Sequence, residues 1–189
     1  MSMPPQDASA RRIKLGWEDF LELPEDGNRY EILDGELVMT PPPAIRHQVV
    51  SSNLNACLRE HVIANGLGIV LYAPVAVRLD QTTIAEPDLV FVATDRMSII
   101  SKLSIDAAPN LVVEIVSPST ERRDRTVKAQ LYAKLGVDHY WIVDPETCRL
   151  EAFERERDAY REAAVVEGET VFEPALFPGL RIELAKLWA

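Results

Sequence analysis

A chain of 189 residues, 47% hydrophobic and 26% charged, suits one soluble domain with a substantial core. Its formal charge of −10 has the wrong sign for gripping nucleic acid, unless basic residues gather locally, and is neutral toward carboxylate metal sites, which need acids. No apolar run approaches the roughly 20 residues of a membrane span, and Cys57 and Cys148 are too few and too far apart for a disulfide framework or a zinc cluster, so a reducing cytoplasm is the expected compartment.

Residues 1–12 read as a polar, mobile tail without the apolar stretch of a signal peptide, and residues 13–189 as a single domain. "WEDFLELPEDG" (17–27) predicts a short amphipathic helix stopped by Pro24 and Gly27. "RYEILDGELVMT" (29–40) holds two alternating runs joined at Asp34-Gly35, a hairpin signal because both turn positions need positive φ. Residues 41–66 predict a helix after a proline punctuation, with Val50, Leu54, Leu58 and Val62 as its apolar stripe and Gly66 as its stop. Residues 68–80 read as one or two strands, with a bend or edge at Pro74. "PDLVFVA" (87–93), "LVVEIVS" (111–117) and "HYWIVD" (139–144) are short, near-continuous apolar strands, and residues 121–136 form a helix ending at Gly136. Residues 149–168 alternate like an exposed hairpin, and "ELAKLWA" closes the chain as a short helix. This order predicts an α/β fold, borderline α+β, with a mixed sheet covered by helices.

Glu114 interrupts the most apolar of these strands. Side chains alternate along a strand, so Val112, Glu114 and Val116 share one face. A buried, unpaired carboxylate costs several kcal/mol, so Glu114 needs an ion-pair partner, a hydrogen-bond network, a metal ion, or a strand end that reaches water. Asp88 likewise opens an apolar run directly after Pro87, where a plain turn acid is the simpler reading. Two adjacent strands would bring both acids to one end of a sheet, the arrangement by which Mg²⁺ is held through one or two carboxylates, waters and substrate phosphate oxygens.

Lys128, Leu131, Tyr132 and Leu135 fall at i, i+3, i+4 and i+7, so Lys128 begins an apolar stripe. Either its stem packs while the ammonium escapes to water, or it reaches the end of the strand that carries Glu114, to which "SPSTERR" joins it. Tyr132 is expected to pack with its hydroxyl bonded locally. Around Lys128, Arg122, Arg123 and Arg125 form the densest basic cluster of the chain: a phosphate contact, or a solvated face balanced by Glu121 and Asp124. Two acids holding a divalent metal beside one lysine have the chemistry of phosphodiester hydrolysis, in which metal-activated water attacks and the lysine orients it or stabilises the transition state.

The segments "YEILDGELV", "RHQ", "PDLVFV", "LVVEIVSPST", "RDRTVKAQLYAKLGVDHYWIVDP" and "LFPGL" resemble the Uma-two family of restriction endonucleases, within the PD-(D/E)XK nuclease superfamily, over nearly the whole chain from Trp17 to Trp188. The resemblance implies a restriction-endonuclease-like core, dependence on Mg²⁺ or Mn²⁺, nucleic acid (DNA first) as partner, and a homodimer. It makes Asp88 the motif aspartate and Glu114 the second acid, both metal ligands. The usual lysine, two residues after that acid, is replaced by Val116, and the resemblance moves its role to Lys128 on the following helix.

Glu31 is a further candidate acid or an exposed strand residue. His47 would bond a phosphate or a metal-bound water, or sit satisfied in the core. Glu86 is a neighbour of the motif or a turn acid, and His61, His139 and Cys57 read as structural. Three functions are carried forward: a metal-dependent endonuclease, a catalytically inactive nuclease-fold module that binds nucleic acid or protein, and a structural homo-oligomer using the late hairpin as an edge.

Overall fold

Asp34 and Gly35 adopt φ of 50° and 83°, and the chain folds back on itself there. Strand β1 (Arg29–Leu33) pairs antiparallel with β2 (Glu36–Thr40) across this turn. The computed structural model describes residues 13–189, so the expected tail lies outside the described residues. The predicted first helix is shorter than its sequence signal, α1 (Trp17–Leu21), and the second, α2 (Ile45–Ala64), starts only after the three prolines and stops before Gly66, whose φ is 62°.

The remaining strands follow as β3 (Gly68–Tyr72), β4 (Ala76–Arg78), β5 (Ile84–Ala85), β6 (Leu89–Ala93), β7 (Ser104–Ile105), β8 (Leu111–Ile115), β9 (His139–Asp144), β10 (Arg149–Glu156), β11 (Ala159–Glu167), β12 (Val171–Phe172) and β13 (Ile182–Glu183). They build two substantial sheets where the sequence suggested one. A six-stranded sheet runs β11-β10-β9-β8-β6-β3 and a five-stranded sheet runs β2-β1-β5-β4-β7, with β12 and β13 as a separate pair. Both larger sheets are mixed: β8 and β9 are parallel in one, β4 and β7 in the other, and every other pairing is antiparallel.

The third predicted helix is composite. A short α3 (Glu121–Arg123) passes through a π turn (Asp124–Lys128) into α4 (Ala129–Lys134). The last helix, α5 (Leu184–Trp188), packs on α2. No helix among the described residues is long and apolar enough to cross a membrane.

The alternation of β8 divides the core. Leu111, Val113 and Ile115 pack with Val50, Leu54, Leu58 and Val62 of α2, while Val112 and Val116 pack with Tyr132, Tyr140 and, from the five-stranded sheet, Leu33, Val77 and Ala85. Glu114 shares the second face. The chain crosses between the sheets twice in neighbouring places: Ala73–Val75 joins β3 to β4, and Glu86–Asp88 joins β5 to β6. The two crossings are tied by the Ala73 N–H, which donates to the Asp88 carbonyl at 3.0 Å. The functional candidates gather at this junction.

Candidate active site

Leu89 pairs with Val113 in the β6–β8 ladder, so one step further along the register Asp88 lies opposite Glu114. Antiparallel pairing of two apolar strands thus brings two acids, 26 residues apart in the sequence, to one sheet end. Glu31 arrives from the other sheet: Ile32 pairs with Ile84, and the Glu86 N–H donates to Glu31 Oε1 at 2.9 Å. The composite helix brings Lys128 over both. Its ammonium lies 2.8 Å from Glu31 Oε1, 2.9 Å from Glu114 Oε1 and 3.6 Å from Asp124 Oδ1. Of the two readings open for Lys128, snorkelling fails, since the residue is 3% exposed.

Asp88 is held from three sides. Arg29 Nη1 donates to its Oδ1 at 2.7 Å, the Ile115 N–H donates to its Oδ2 at 2.8 Å, and His47 Nε2 lies 3.2 Å from the same oxygen. Arg29 also donates to the Glu86 carbonyl, so its fork clamps the Glu86–Asp88 crossing. Burial alone would push the Asp88 carboxyl up, but the His47 bond, the Arg29 charge and the Ile115 N–H outweigh it and hold it at about 2.

Glu114 goes the other way. Burial, together with the carboxylates of Asp124, Asp88 and Glu31, pushes it up to about 8 against the pull of Lys128. Burial also disfavours the Lys128 ammonium, yet Glu114, Glu31 and Asp124 outweigh it and keep that group protonated far above the ordinary lysine range. One ammonium is therefore shared among three acids. It keeps its own charge and leaves theirs incompletely neutralised. Burial likewise raises Asp124 and Glu86.

Arg29 and Asp124 were not singled out from the sequence, and Tyr132 is corrected. Its hydroxyl donates not to a group near it in the sequence but to Glu114 Oε1 at 2.7 Å. Arg29 and Glu31 are i, i+2 on β1, and Asp124 and Lys128 are i, i+4 on the helix, spacings that place each on its neighbour's face. Asp124 is 2% exposed and not a solvated counter-charge.

The three arginines of the basic cluster meet different surroundings. Successive helical residues point about 100° apart. Arg123 turns to the recess and donates to Thr40 Oγ1 at 3.4 Å, Arg125 is drawn to Glu121 and Glu151, and Arg122 is exposed. His47 stands at the site with Nδ1 buried and unbonded. Glu86 lies in a crossing between sheets and bonds the site through its backbone. His61, His139 and Cys57 lie outside the linings of both site cavities.

Removing the Tyr132 hydroxyl isolates one of these bonds. Tyr132→Phe is expected to cost about 1 kcal/mol, the net worth of an ordinary intramolecular hydrogen bond. The check is a shifted urea midpoint with an unchanged slope.

These groups line a recess of about 190 Å³, which meets a larger cleft of about 920 Å³ along Arg29, His47 and Asp88. In it, the buried carboxylates of Glu31, Asp88, Glu114 and Asp124 are ion-paired, among the described residues, with only two permanent cations, Arg29 and Lys128, while Arg123 sits at the rim on Thr40. That is an oxygen donor set with residual negative charge, the chemistry a hard divalent cation requires. No three His, Cys, Asp or Glu side chains among the described residues are grouped as a ready-made cage. A Mg²⁺ site of two carboxylates completed by water and substrate oxygens does not need one.

No curated protein matches the chain. Among solved structures it is similar to a protein described as a putative nuclease belonging to DUF820 from Anabaena variabilis, with a TM-score of 0.74 at 18% identity over 92% of this chain and 97% of that one. At that identity the likeness establishes the fold, a nuclease fold consistent with the expected restriction-endonuclease-like core. The family model Uma2, described as "Putative restriction endonuclease" and the Uma-two family of the sequence resemblance, matches residues 17–185. The chain therefore belongs to the Uma2 family.

Proposed function

We propose that the protein is a divalent-metal-dependent nuclease that hydrolyses phosphodiester bonds, with DNA the first substrate to test. The observation that carries this reading is the excess of buried carboxylate over cation where Asp88, Glu114 and Lys128 converge. Asp88 and Glu114, on adjacent strands, are the residues that would hold Mg²⁺ or Mn²⁺. Such a cation, when bound, lowers the pKa of water and neutralises charge on phosphoryl oxygens.

The chain's own residues supply the rest. Arg29 and the Ile115 N–H fix the Asp88 carboxylate in its ionised form and in one orientation. Lys128, held among Glu31, Glu114 and Asp124, would present N–H donors to the attacking water or to the developing negative charge. His47, whose Nε2 lies 3.2 Å from Asp88 Oδ2, helps to orient that carboxylate. Arg123 offers a phosphate contact at the rim.

The test is incubation with plasmid and linear DNA in Mg²⁺, Mn²⁺ and EDTA, alongside Mn²⁺ binding by paramagnetic resonance. Cleavage with metal only, and loss of bound Mn²⁺ in Asp88→Asn, are expected. Absence of both cleavage and Mn²⁺ binding would overturn the proposal in favour of a nuclease-fold binding module.

A further inference from the structure

We propose that the larger cleft binds unpaired nucleobases, so that the substrate enters as a single or locally opened strand. This deepens the nuclease reading and rests on it. The cleft adjoins the recess, and its α2 wall carries Gln48, Ser51, Ser52 and Asn55 at i, i+3, i+4 and i+7, a neutral hydrogen-bonding face beside the apolar stripe.

The same cleft is lined by Tyr72, 63% exposed at the end of β3. Its partner in the ladder, Leu89, directly follows Asp88, and Tyr72 and Asp88 line the same cleft. Among the described residues Tyr72 stacks on no other ring. Tyr30 lines the same cleft, its hydroxyl engaged by Asp26 at 2.8 Å. Two polar atoms of the lining residues, Asn55 Oδ1 and His47 Nδ1, are buried without a partner. Buried polar atoms are ordinarily satisfied, so these two stand out on the lining residues.

The lining chemistry selects bases over backbone. Phosphates are gripped by cations, and the one Lys or Arg on this lining, Arg29, is already committed to Asp88 and the Glu86 carbonyl. Amides and hydroxyls read base edges, and aromatic faces stack on unpaired bases. A duplex hides those faces and carries one charge per roughly 1.7 Å of axis, a poor match to a chain of net charge −10. A cleft of about 920 Å³ seats a short run of nucleotides and not a double helix.

The experiment uses the full chain, first in EDTA and then with Ca²⁺. It is titrated against labelled oligonucleotides of about 12 nucleotides, within the range of single-strand site sizes, as single-stranded DNA, single-stranded RNA and duplex DNA. A parallel set carries 2-aminopurine, whose fluorescence is quenched on stacking. Single strands are expected to bind at least tenfold tighter than duplex on the order expected for base–aromatic stacking, with quenching. Tyr72→Ala is expected to lose about tenfold in affinity together with the quench, and Tyr72→Trp to keep both. The DNA and RNA arms decide which sugar is accepted.

Equal binding of duplex, no binding of any strand, or a Tyr72→Ala protein that binds and quenches like the wild type overturns the inference. Duplex cleavage indifferent to Tyr72→Ala overturns the groove and leaves the nuclease reading intact. Tyr72-dependent single-strand binding by a protein that neither cleaves in Mg²⁺ or Mn²⁺ nor binds Mn²⁺ supports the groove while removing the nuclease reading. Because Tyr72 is mostly exposed, an unchanged thermal midpoint for Tyr72→Ala separates lost binding from lost folding.

Discussion

Replacing Lys128 with methionine is expected to abolish metal-dependent cleavage and, independently, to cost about 3–5 kcal/mol of folding stability, the usual penalty for stripping one partner from a buried ion pair. Methionine fills much of the same volume, so the loss is electrostatic and not a cavity effect. Lys128 is the only cation within ion-pair distance of Glu31, Glu114 and Asp124 among the described residues. Without it those acids must protonate or stay buried and unpaired. Because protonation is the escape, the gap between wild type and variant should be small near pH 5 and widen toward pH 8.

A net stability of 5–15 kcal/mol leaves room for the variant to be poorly folded, so a second variant keeps the prediction decidable. Glu31→Gln removes the carboxylate nearest the ammonium, at 2.8 Å. Added to Lys128→Met, it should return part of the loss, a positive coupling of about 1–3 kcal/mol in a double-mutant cycle. Urea denaturation of the four proteins measures it. Additive losses would mean that the pair is not an energetic unit in this fold.

The parts of the site that were legible in the sequence share one property: each is a charge breaking a periodic apolar pattern. Glu114 stands inside a strand that buries both faces, and Lys128 heads an apolar helical stripe, so burial made each conspicuous by its cost. Asp88 was legible only in combination, since the register that sets it opposite Glu114 is a property of two strands and not of "PD". Arg29 escaped notice because an arginine opening a short strand looks like surface. Its partner lies 59 residues away in the chain, joined only by the crossing between sheets.

Asp124 was masked by its neighbours. In "ERRDRTVK" charges alternate so densely that no apolar stripe singles one out, and a π turn then sets the helical phase locally. The division into two sheets was equally hidden. Strands β5 and β7 are two residues each, too short to show a period of two, yet β5 is what draws β1 away from the six-stranded sheet. The clear signals were the local ones: the Asp34-Gly35 turn, the α2 stripe, and the apolar runs of β6, β8 and β9, where propensity, pattern and tertiary burial agree.

Stability itself should fall as pH rises through neutrality in EDTA, the reverse of ordinary acid sensitivity. Glu114 titrates near 4.5 when unperturbed and at about 8 in the fold. The fold thus favours its protonated form, so its contribution is complete below pH 4.5 and is lost as pH climbs through 8. A displacement of that size corresponds to on the order of 4 kcal/mol across the window. Asp124 and Glu86, also raised, add slope of the same sign. Asp88, held at about 2, gives the opposite slope but only on the acid side of its unperturbed 3.8, outside this window. Lys128 and Arg29 remain charged throughout and contribute no slope there.

A divalent cation that binds the folded site adds stability by mass action and competes with the proton on Glu114, so saturating Mg²⁺ should raise stability most at pH 8 and flatten the profile. Glu114→Gln should remove most of the slope in EDTA, since the amide keeps the Tyr132 and Lys128 bonds without titrating. Urea midpoints between pH 5 and 8, with and without Mg²⁺, provide the measurement. A flat EDTA profile in the wild type, or an unchanged slope in Glu114→Gln, would show that the carboxylate excess at the junction of the two sheets is not what the fold works against.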